Sequence, residues 1–158
     1  MIIRTIEKKD NAAVAAIVRS VFLELKAPKV GTAYADPNLD SMFETYQKPN
    51  AIYFVVENDG KIIGGAGVDK LENSDEGICE LQKMYFLPEG RGLGMGKKMI
   101  ALCLQKAEEF GFKKCYLETF VVMQNAQELY KKSGFYYINV PLGNTGHTAC
   151  PIWMMKDL

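Results

Sequence analysis

The chain has 158 residues, of which 48% are hydrophobic and 11% aromatic, and this suits a single globular domain spanning residues 1–158. Its 19 basic and 19 acidic side chains give a net charge of zero, without the clustered cations that nucleic-acid binding requires. No apolar run approaches the roughly 20 residues that cross a bilayer, and the first residues lack a secretory signal, so a cytoplasmic protein with no membrane partner is expected.

The first half of the chain alternates between strand and helix patterns. Residues 1–7 alternate as a strand, and Asp10 is placed to cap a helix whose apolar residues follow a period of 3.6 up to Leu25. A loop and a short helix that ends near Tyr46 follow. Residues 52–57 and 61–69 are predicted to form a hairpin, because the Asp59-Gly60 pair between them is a strong turn signal.

The second half continues the alternation. Strands are predicted at 78–87 and 113–119, helices at 93–110 and 124–132, and a last hairpin from 135–140 and 149–155 around a glycine-containing loop. This order predicts a mixed α/β fold, in which one central sheet is flanked by helices.

Cysteines 79, 103, 115 and 150 are far apart, and the chain has a single histidine, so no metal site is expected. Cys103 falls on the apolar face of a predicted helix, and Cys79 and Cys115 fall in predicted strands; all three are predicted to be buried, reduced thiols. Cys150 follows His147 by three residues, which leaves a cysteine–histidine nucleophile pair open as an alternative.

The strand at 78–87 breaks at Pro88 and leads through Gly92, Gly94 and Gly96 into a long helix. Glycine allows an anion to approach the backbone, and the first N–H groups of a helix have no internal acceptor, so this segment is predicted to bind a phosphate or pyrophosphate. Arg91 and Lys97 would add positive charge. The spacing excludes a P-loop and a dinucleotide-binding fingerprint.

Arg91-Gly-Leu-Gly94-Met-Gly96 resembles the Arg/Gln-x-x-Gly-x-Gly/Ala signature of the GNAT N-acetyltransferase superfamily, and the segment from Ala126 to Phe135 resembles its second signature. The resemblance implies a mostly antiparallel central sheet and acetyl-CoA as cofactor. It implies that the pyrophosphate lies on Arg91, Gly92, Leu93, Gly94, Met95, Gly96 and Lys97. Met123 stands where the family often has an asparagine, which puts a polar cofactor contact there in doubt.

The resemblance further implies that the pantetheine arm runs beside the strand that precedes the loop. Its contacts would be Met84, Tyr85 and Phe86, with Phe86 the first candidate for a backbone hydrogen bond. A bulge near Met84 would open the strand edge to the ligand.

Acetyl transfer to an amine needs a base, because an amine with a pKa near 10.4 is protonated at neutral pH. Glu80 is the first candidate, since it lies on the strand that leads to the loop and is predicted to alternate in phase with Gln82, Met84 and Phe86. Glu118 is the second, and His147 is a further alternative because the reference pKa of histidine is about 6.5. Tyr130 matches the tyrosine that protonates the thiolate in many relatives.

By the same resemblance, the acceptor pocket takes residues from the first helices and the last hairpin. Tyr34, Glu118 and His147 are the predicted substrate contacts, with Asp36 and Tyr46 nearby. The expected function is acetyl-CoA-dependent N-acetylation of a small-molecule amine. Acetylation of a protein N-terminus or lysine, and a non-catalytic acyl-CoA sensor, are the alternatives. A homodimer is compatible with the resemblance.

Overall fold

A computed structural model describes residues 1–158 and contains one sheet of seven strands. The strands are β1 Ile2–Thr5, β2 Ile52–Asn58, β3 Lys61–Lys70, β4 Ile78–Phe86, β5 Lys114–Thr119, β6 Tyr136–Ile138 and β7 Ile152–Asp157. Their spatial order is β1-β2-β3-β4-β5-β7-β6. Only the β4–β5 pair is parallel, so the mixed α/β fold with a mostly antiparallel sheet is confirmed.

Four α-helices cover the two faces of this sheet. They are α1 Asn11–Glu24, α2 Met42–Thr45, α3 Met95–Glu109 and α4 Gln124–Lys132, and four short 3-10 turns lie between them and the strands. α3 and α4 pack on one face through a core of 18 buried residues, and α1 and α2 pack on the other face through two smaller clusters. None of the helices combines the length and apolar character that a membrane crossing needs.

The start of α1 was predicted correctly, although Asp10 acts differently from the expected cap. Asp10 occupies the N-cap position without a hydrogen bond from its side chain into the helix. Its buried carboxylate instead accepts the Glu7 backbone N–H at 2.8 Å and both terminal nitrogens of Arg4 at 2.7 and 3.0 Å. Asp10 therefore joins α1 to strand β1.

A β-bulge interrupts β4 at Lys83 and Met84. Gly65 pairs with Tyr85 and Gly67 pairs with Gln82, so Lys83 and Met84 together oppose the single residue Ala66. Lys83 adopts a left-handed backbone with φ of 48°. One extra residue on one strand is the definition of a bulge, and it reverses the face on which the following side chains lie.

The bulge makes one sequence prediction wrong. Leu81 faces α3 before the bulge, whereas Met84 and Phe86 pack on that same core after it. Glu80 and Gln82 are therefore on the opposite face from Met84 and Phe86, and not in phase with them. A sequence pattern in which side chains alternate strictly between the two faces of a strand cannot predict this reversal. The extra residue is recognised only from how β3 and β4 pair.

β4 and β5 pair over only three residues. Ile78, Cys79 and Glu80 pair with residues 114–116. Beyond these positions the two parallel strands are no longer paired with each other. The rest of β4 consequently presents a free backbone edge inside the molecule. This gap lies between α1, the start of α3 and the start of α4, and it contains the larger of the two clefts described below.

Candidate active site

The glycine-containing loop ends in an exposed array of backbone donors. Gly92 and Gly94 have φ of 72° and 76°, and Gly94 is the N-cap residue of α3. The first backbone bond of the helix is from Lys98 N–H to the Gly94 carbonyl at 3.2 Å, and none of the N–H groups of residues 92–97 has an acceptor in the chain. Six consecutive free donors at a helix N-terminus form an anion-binding surface.

This surface has room for a ligand. A Cβ atom added to Gly92 or Gly94 would meet no protein atom within 4 Å, so both glycines border open space. At Gly96 a Cβ would lie 2.8 Å from Leu129 Cδ2, so glycine there allows α4 to pack closely against α3. The chain therefore provides free donors and empty volume at the same place, as a bound pyrophosphate requires.

The loop forms one wall of a cleft of about 640 Å³. Nine of the residues predicted to contact cofactor or to act in catalysis line it: Met84, Tyr85, Phe86, Arg91, Gly92, Gly94, Gly96, Lys97 and Tyr130. Leu93 and Met95 do not line it. Leu93 points its side chain to solvent and Met95 is buried in the core below α3, so these two residues offer only their backbone N–H groups to a ligand.

The free edge of β4 is available at Phe86. Leu87 N–H donates to the Ile63 carbonyl at 2.8 Å, and because backbone groups alternate along a strand, those of Phe86 point to the other edge, into the cleft. The Phe86 carbonyl accepts Arg91 Nε at 2.9 Å, which leaves its N–H free. Phe86 can thus donate one backbone hydrogen bond to a ligand that runs along β4.

Arg91 is held beside the loop by an ion pair that the sequence did not suggest. Its two terminal nitrogens donate to the carboxylate oxygens of Glu24, at the end of α1, at 2.6 and 2.8 Å. Donating these hydrogen bonds to Glu24 raises the pKa of Arg91, and accepting them lowers the pKa of Glu24. The guanidinium therefore has a partner that an incoming phosphate would have to replace.

Other residues of this cleft were missed in the sequence. Val21 and Leu25 of α1 line it from one side, and residues 122–126 and Leu129 line it from the other. Met123 is among them, where the resemblance left a polar contact in doubt, and Asn125 follows it by two residues. The helix period placed Val21 and Leu25 on a buried face but gave no sign that this face ends at a cleft.

A second, smaller cleft of about 340 Å³ adjoins the first, and Tyr85 lines both. Its wall is mostly polar, with titratable side chains from the segments on either side of α2, from β3 and the loop after it, from β4 and β5, and from the loop before β7: Asp36, Lys48, Asp69, Lys70, Glu72, Glu80, Lys83, Glu118, His147 and Cys150. The structure thus brings together the predicted residues Glu80, Glu118 and His147, which are 38 and 29 residues apart in sequence.

Glu80 is the most strongly perturbed acid in this cleft. The residue is 6% exposed, and burial raises the pKa of its carboxyl to about 7, although the hydrogen bond from Gln82 Nε2 at 2.8 Å acts in the opposite direction. The Tyr46 hydroxyl donates in turn to the Gln82 side-chain oxygen. A carboxyl group with a pKa near neutrality can accept a proton from an amine and release it again to solvent.

Glu118 is buried beside Glu80 but is already engaged. Its side chain is 4% exposed, Oε1 accepts the Tyr116 hydroxyl at 2.7 Å, and Oε2 accepts the Thr145 hydroxyl at 2.7 Å. Both oxygens accept a hydrogen bond from the protein, so they are less available to a ligand than those of Glu80. Its role as substrate contact or second base remains a prediction.

His147 connects the loop before β7 to the loop after α1. Nε2 donates to Asp36, at 2.9 Å from Oδ1 and 3.0 Å from Oδ2, and Lys83 Nζ lies 2.7 Å from Asp36 Oδ2. Burial is the largest effect and opposes the positive charge on His147, but the hydrogen bond to Asp36 and the negative charges of Asp36 and Glu80 together outweigh it and raise the pKa of the imidazole. Burial likewise opposes ionisation of Asp36, yet its two cationic partners keep the pKa of the carboxyl below its usual range.

Two further sequence hypotheses concern residues near this cleft. Tyr34 lines neither cleft; its ring packs edge-on against Phe22 at 6.1 Å, and Lys29 Nζ lies 5.1 Å from the ring centre. All four cysteines are free and buried, as predicted for three of them. Burial raises the pKa of the Cys150 thiol to about 12, so this thiol stays protonated and the cysteine–histidine nucleophile pair is disfavoured.

Tyr130 lies on α4 with its ring against Phe135, at 6.0 Å between ring centres. The residue is 5% exposed, and burial raises the pKa of its phenol, so the hydroxyl keeps its proton at neutral pH. No side chain or carbonyl of the protein accepts that proton, and Tyr130 lines the larger cleft. Its hydroxyl is therefore a free donor at the cleft surface.

Solved structures with this fold include an acetyltransferase of the GNAT family from Staphylococcus aureus, with a TM-score of 0.88 at 20% identity over 99% of this chain and 98% of that one. A GNAT phosphinothricin acetyltransferase from Sinorhizobium meliloti in complex with acetyl-CoA gives 0.79 at 20% identity, over 99% and 88%. At this identity the likeness shows the shared fold.

The sequence profile of the acetyltransferase (GNAT) family matches residues 19–135. The uncharacterized N-acetyltransferase YjgM of Escherichia coli is 44% identical over 159 residues, which cover 99% of this chain and 95% of that protein. Matches of this extent, on a chain with the corresponding fold, establish a common family. The protein therefore belongs to the GNAT family and is an N-acetyltransferase.

Proposed function

We propose that this N-acetyltransferase uses acetyl-CoA as donor and transfers the acetyl group directly to the amine of a small molecule, an amino acid or a related metabolite. The observation that carries the proposal is the run of six free N–H groups at residues 92–97 in a cleft that meets a polar cleft at Tyr85. One cleft suits a pyrophosphate-bearing donor and the other suits a polar acceptor.

The residues of the larger cleft fit acetyl-CoA. The free N–H groups of the loop, with Arg91 and Lys97, would hold the pyrophosphate, and the Phe86 N–H would hold the pantetheine arm along β4. When bound, acetyl-CoA supplies the acetyl group as a thioester. Its reacting end would lie near Tyr85, because the acceptor cleft begins there.

Proton transfer can be assigned to two residues. Glu80 would take a proton from the ammonium form of the acceptor, directly or through a water molecule, since its pKa of about 7 leaves a large ionised fraction at neutral pH. The amine nitrogen then bonds to the acetyl carbon as the carbon–sulfur bond breaks, and the nitrogen releases its second proton to water in the cleft. Tyr130 would donate its proton to the departing thiolate, and both residues would afterwards exchange protons with solvent.

A small acceptor is favoured over a protein. The hydrogen bond between Asp36 and His147 joins two loops across the polar cleft, which reduces the space for an extended peptide. Acetylation of a protein N-terminus or lysine would need this bridge to open. A non-catalytic sensor would bind acetyl-CoA and release no thiol with any amine.

The first test is a thermal-shift titration with acetyl-CoA, with CoA and NADH as comparisons. A ligand at about 100 times its dissociation constant stabilises the protein by about 2.7 kcal/mol, which raises the melting temperature by several degrees. Acetyl-CoA and CoA should both stabilise, and NADH should not. Absence of any shift at millimolar acetyl-CoA would contradict the proposal.

The second test separates catalysis from binding. Tyr130→Phe should lower kcat in a thiol-release assay while leaving the affinity for acetyl-CoA nearly unchanged. The matched control is Tyr137→Phe. Tyr137 is half exposed, and its hydroxyl donates at 2.8 Å to Gln127, which lies on the same helix as Tyr130. Equal activity of Tyr130→Phe and the wild type would remove Tyr130 from the mechanism.

A further inference from the structure

Lys83 is a buried cation with unused hydrogen-bonding capacity. Its side chain is 7% exposed and lines the polar cleft, and its one partner is Asp36 Oδ2, at 2.7 Å from Nζ. An ammonium group has three N–H donors, so two of them are left for a ligand. Asp36 is also shared with His147, and Lys83 is therefore only partly neutralised.

The bulge places this cation beside the meeting point of the two clefts. Lys83 is two residues before Tyr85, which lines both clefts, whereas Met84 between them lines only the cofactor cleft. An acceptor amine has to reach that meeting point in order to attack the acetyl group. A group on the carbon next to the amine would then be within reach of the lysine side chain.

The opposite charge lies on the same wall. Glu80 is buried in the polar cleft and has no basic side chain within 4.0 Å, whereas Glu118 lies 4.0 Å from His147 Nδ1, and Asp36 and Asp69 are each paired with a lysine. Glu80 can therefore attract an ammonium group while Lys83 attracts an anion. A cleft of about 340 Å³ with charges of both signs is suited to a small zwitterion.

We infer that the acceptor carries a carboxylate next to its amine, as free amino acids do, and that Lys83 binds this carboxylate while the amine faces Glu80. The inference rests on the proposed acetyl transfer and adds the acceptor class to it. Lysines elsewhere on the wall fit this role less well, because the Lys48 side chain is 43% exposed and Lys70 is exposed as well.

The test compares amines that share one carbon skeleton. The common amino acids, their carboxamides and their decarboxylated amines are assayed for thiol release from acetyl-CoA. For the accepted skeleton, kcat/KM of the acid should exceed that of the amide and of the decarboxylated amine by about 10- to 100-fold, the range expected for one hydrogen-bonded charge contact. Equal or faster turnover of the amide or the decarboxylated amine would overturn the inference.

Variants assign the preference to Lys83. Lys83→Met should reduce the preference to near unity, mainly through KM, and Lys83→Arg should retain part of it. The control is Lys61→Met, which removes an exposed lysine that is paired with Glu89 at 2.5 Å outside both clefts and should keep the full preference. Unchanged acetyl-CoA affinity and melting temperature show that Lys83→Met has folded. An unchanged preference in Lys83→Met would exclude Lys83 as the carboxylate site.

The outcomes distinguish the acceptor class from the proposed function. Thiol release with amides as fast as with acids would contradict only the carboxylate contact. Absence of both acetyl-CoA binding and thiol release would contradict the proposed function itself. If acetyl-CoA binds and no amine turns over, calorimetric binding of the same three amines to the CoA-loaded protein gives the comparison, and equal affinities would overturn the inference.

Discussion

The Tyr53 hydroxyl donates a hydrogen bond to the Lys83 carbonyl at 2.9 Å and so ties the bulge of β4 to strand β2, across β3. The Tyr53 ring can lie across β3 because Gly65 and Gly67 of that strand have no side chains. A Cβ on Gly65 would lie 2.7 Å from Tyr53 Cε1, and one on Gly67 would lie 2.7 Å from Cδ2. Tyr53 therefore holds the segment in which the face of β4 changes.

Tyr53→Phe should weaken the hold on the bulge. Loss of a buried hydrogen bond costs about 1 kcal/mol of stability, and the carbonyl of Lys83 is left without its partner. We expect a lower kcat, with a smaller change in acetyl-CoA affinity, because the free N–H groups of the loop are not altered. Tyr136→Phe, which changes an exposed tyrosine on the edge strand β6, is the control. Wild-type kinetics in Tyr53→Phe would show that the bulge holds its position without this bond.

Glu80→Gln tests the base. Because Glu80 has a pKa of about 7, wild-type kcat/KM should rise with pH through that value and level off above it. The amide cannot accept the proton, so the variant should lose about 100-fold or more in activity near pH 8 and show no inflection near pH 7. Acetyl-CoA titrations serve as the control for folding. An inflection that persists in the variant would assign the base to another group.

The same carboxyl makes stability depend on pH. Its pKa is raised from 4.5 to about 7 in the folded protein, so the unfolded chain releases this proton first as pH rises. The contribution to stability is complete below pH 4.5 and is lost by the time the pH has passed 7, an effect of at most about 3 kcal/mol. The free energy of unfolding, measured with denaturant, should therefore fall less between pH 4.5 and pH 8 for Glu80→Gln than for the wild type.

Gly94→Trp tests the glycine-containing loop at residues 92–97 as the cofactor site, and the chain offers a matched control. Gly94 and Gly111 lie at opposite ends of α3, both have left-handed backbones, and a Cβ on either would meet nothing within 4 Å. Tryptophan at both positions should cause a similar backbone strain. Only Gly94→Trp should abolish acetyl-CoA binding by calorimetry. Equal affinity of the two variants would mean that the cofactor lies elsewhere.

Glu24→Gln tests whether the ion pair restrains Arg91. The variant should bind acetyl-CoA roughly three- to tenfold more tightly at low salt, because the guanidinium no longer has to leave a carboxylate, and the difference should shrink as salt rises. Asp40→Asn is the control, since it opens a similar two-bond pair with Arg19 on the same helix. Weaker binding of Glu24→Gln would show instead that Glu24 orients Arg91 for the ligand.

The sequence predicts those parts of the site that depend on local conformation. Gly92, Gly94 and the helix that follows are recognisable because a positive φ and a free helix start are properties of a few adjacent residues. The helix period likewise places Tyr130 correctly on a buried face. The start of α3 was predicted at residue 93, two residues too early, because the N-cap role of Gly94 depends on its backbone conformation.

The polar cleft could not be derived in the same way. Lys83 was not singled out, because its place on the cleft wall results from a register change in a strand pair and not from its neighbours. The contact between Asp36 and His147 spans 111 residues of sequence. Arg91 and Glu24 are 67 residues apart, and nothing near either residue identifies the other.

The early separation of β4 from β5 has a consequence for how the protein behaves in solution. An unpaired strand edge on a protein surface invites pairing with another chain and so promotes aggregation. Here the open edge of β4 lies in a cleft between α1 and α4, which leaves less room for a second sheet than an edge on the surface does. A slender, extended molecule fits this gap, so under the proposed function the pantetheine arm would add to the edge like a strand while the flanking helices shield it from other chains.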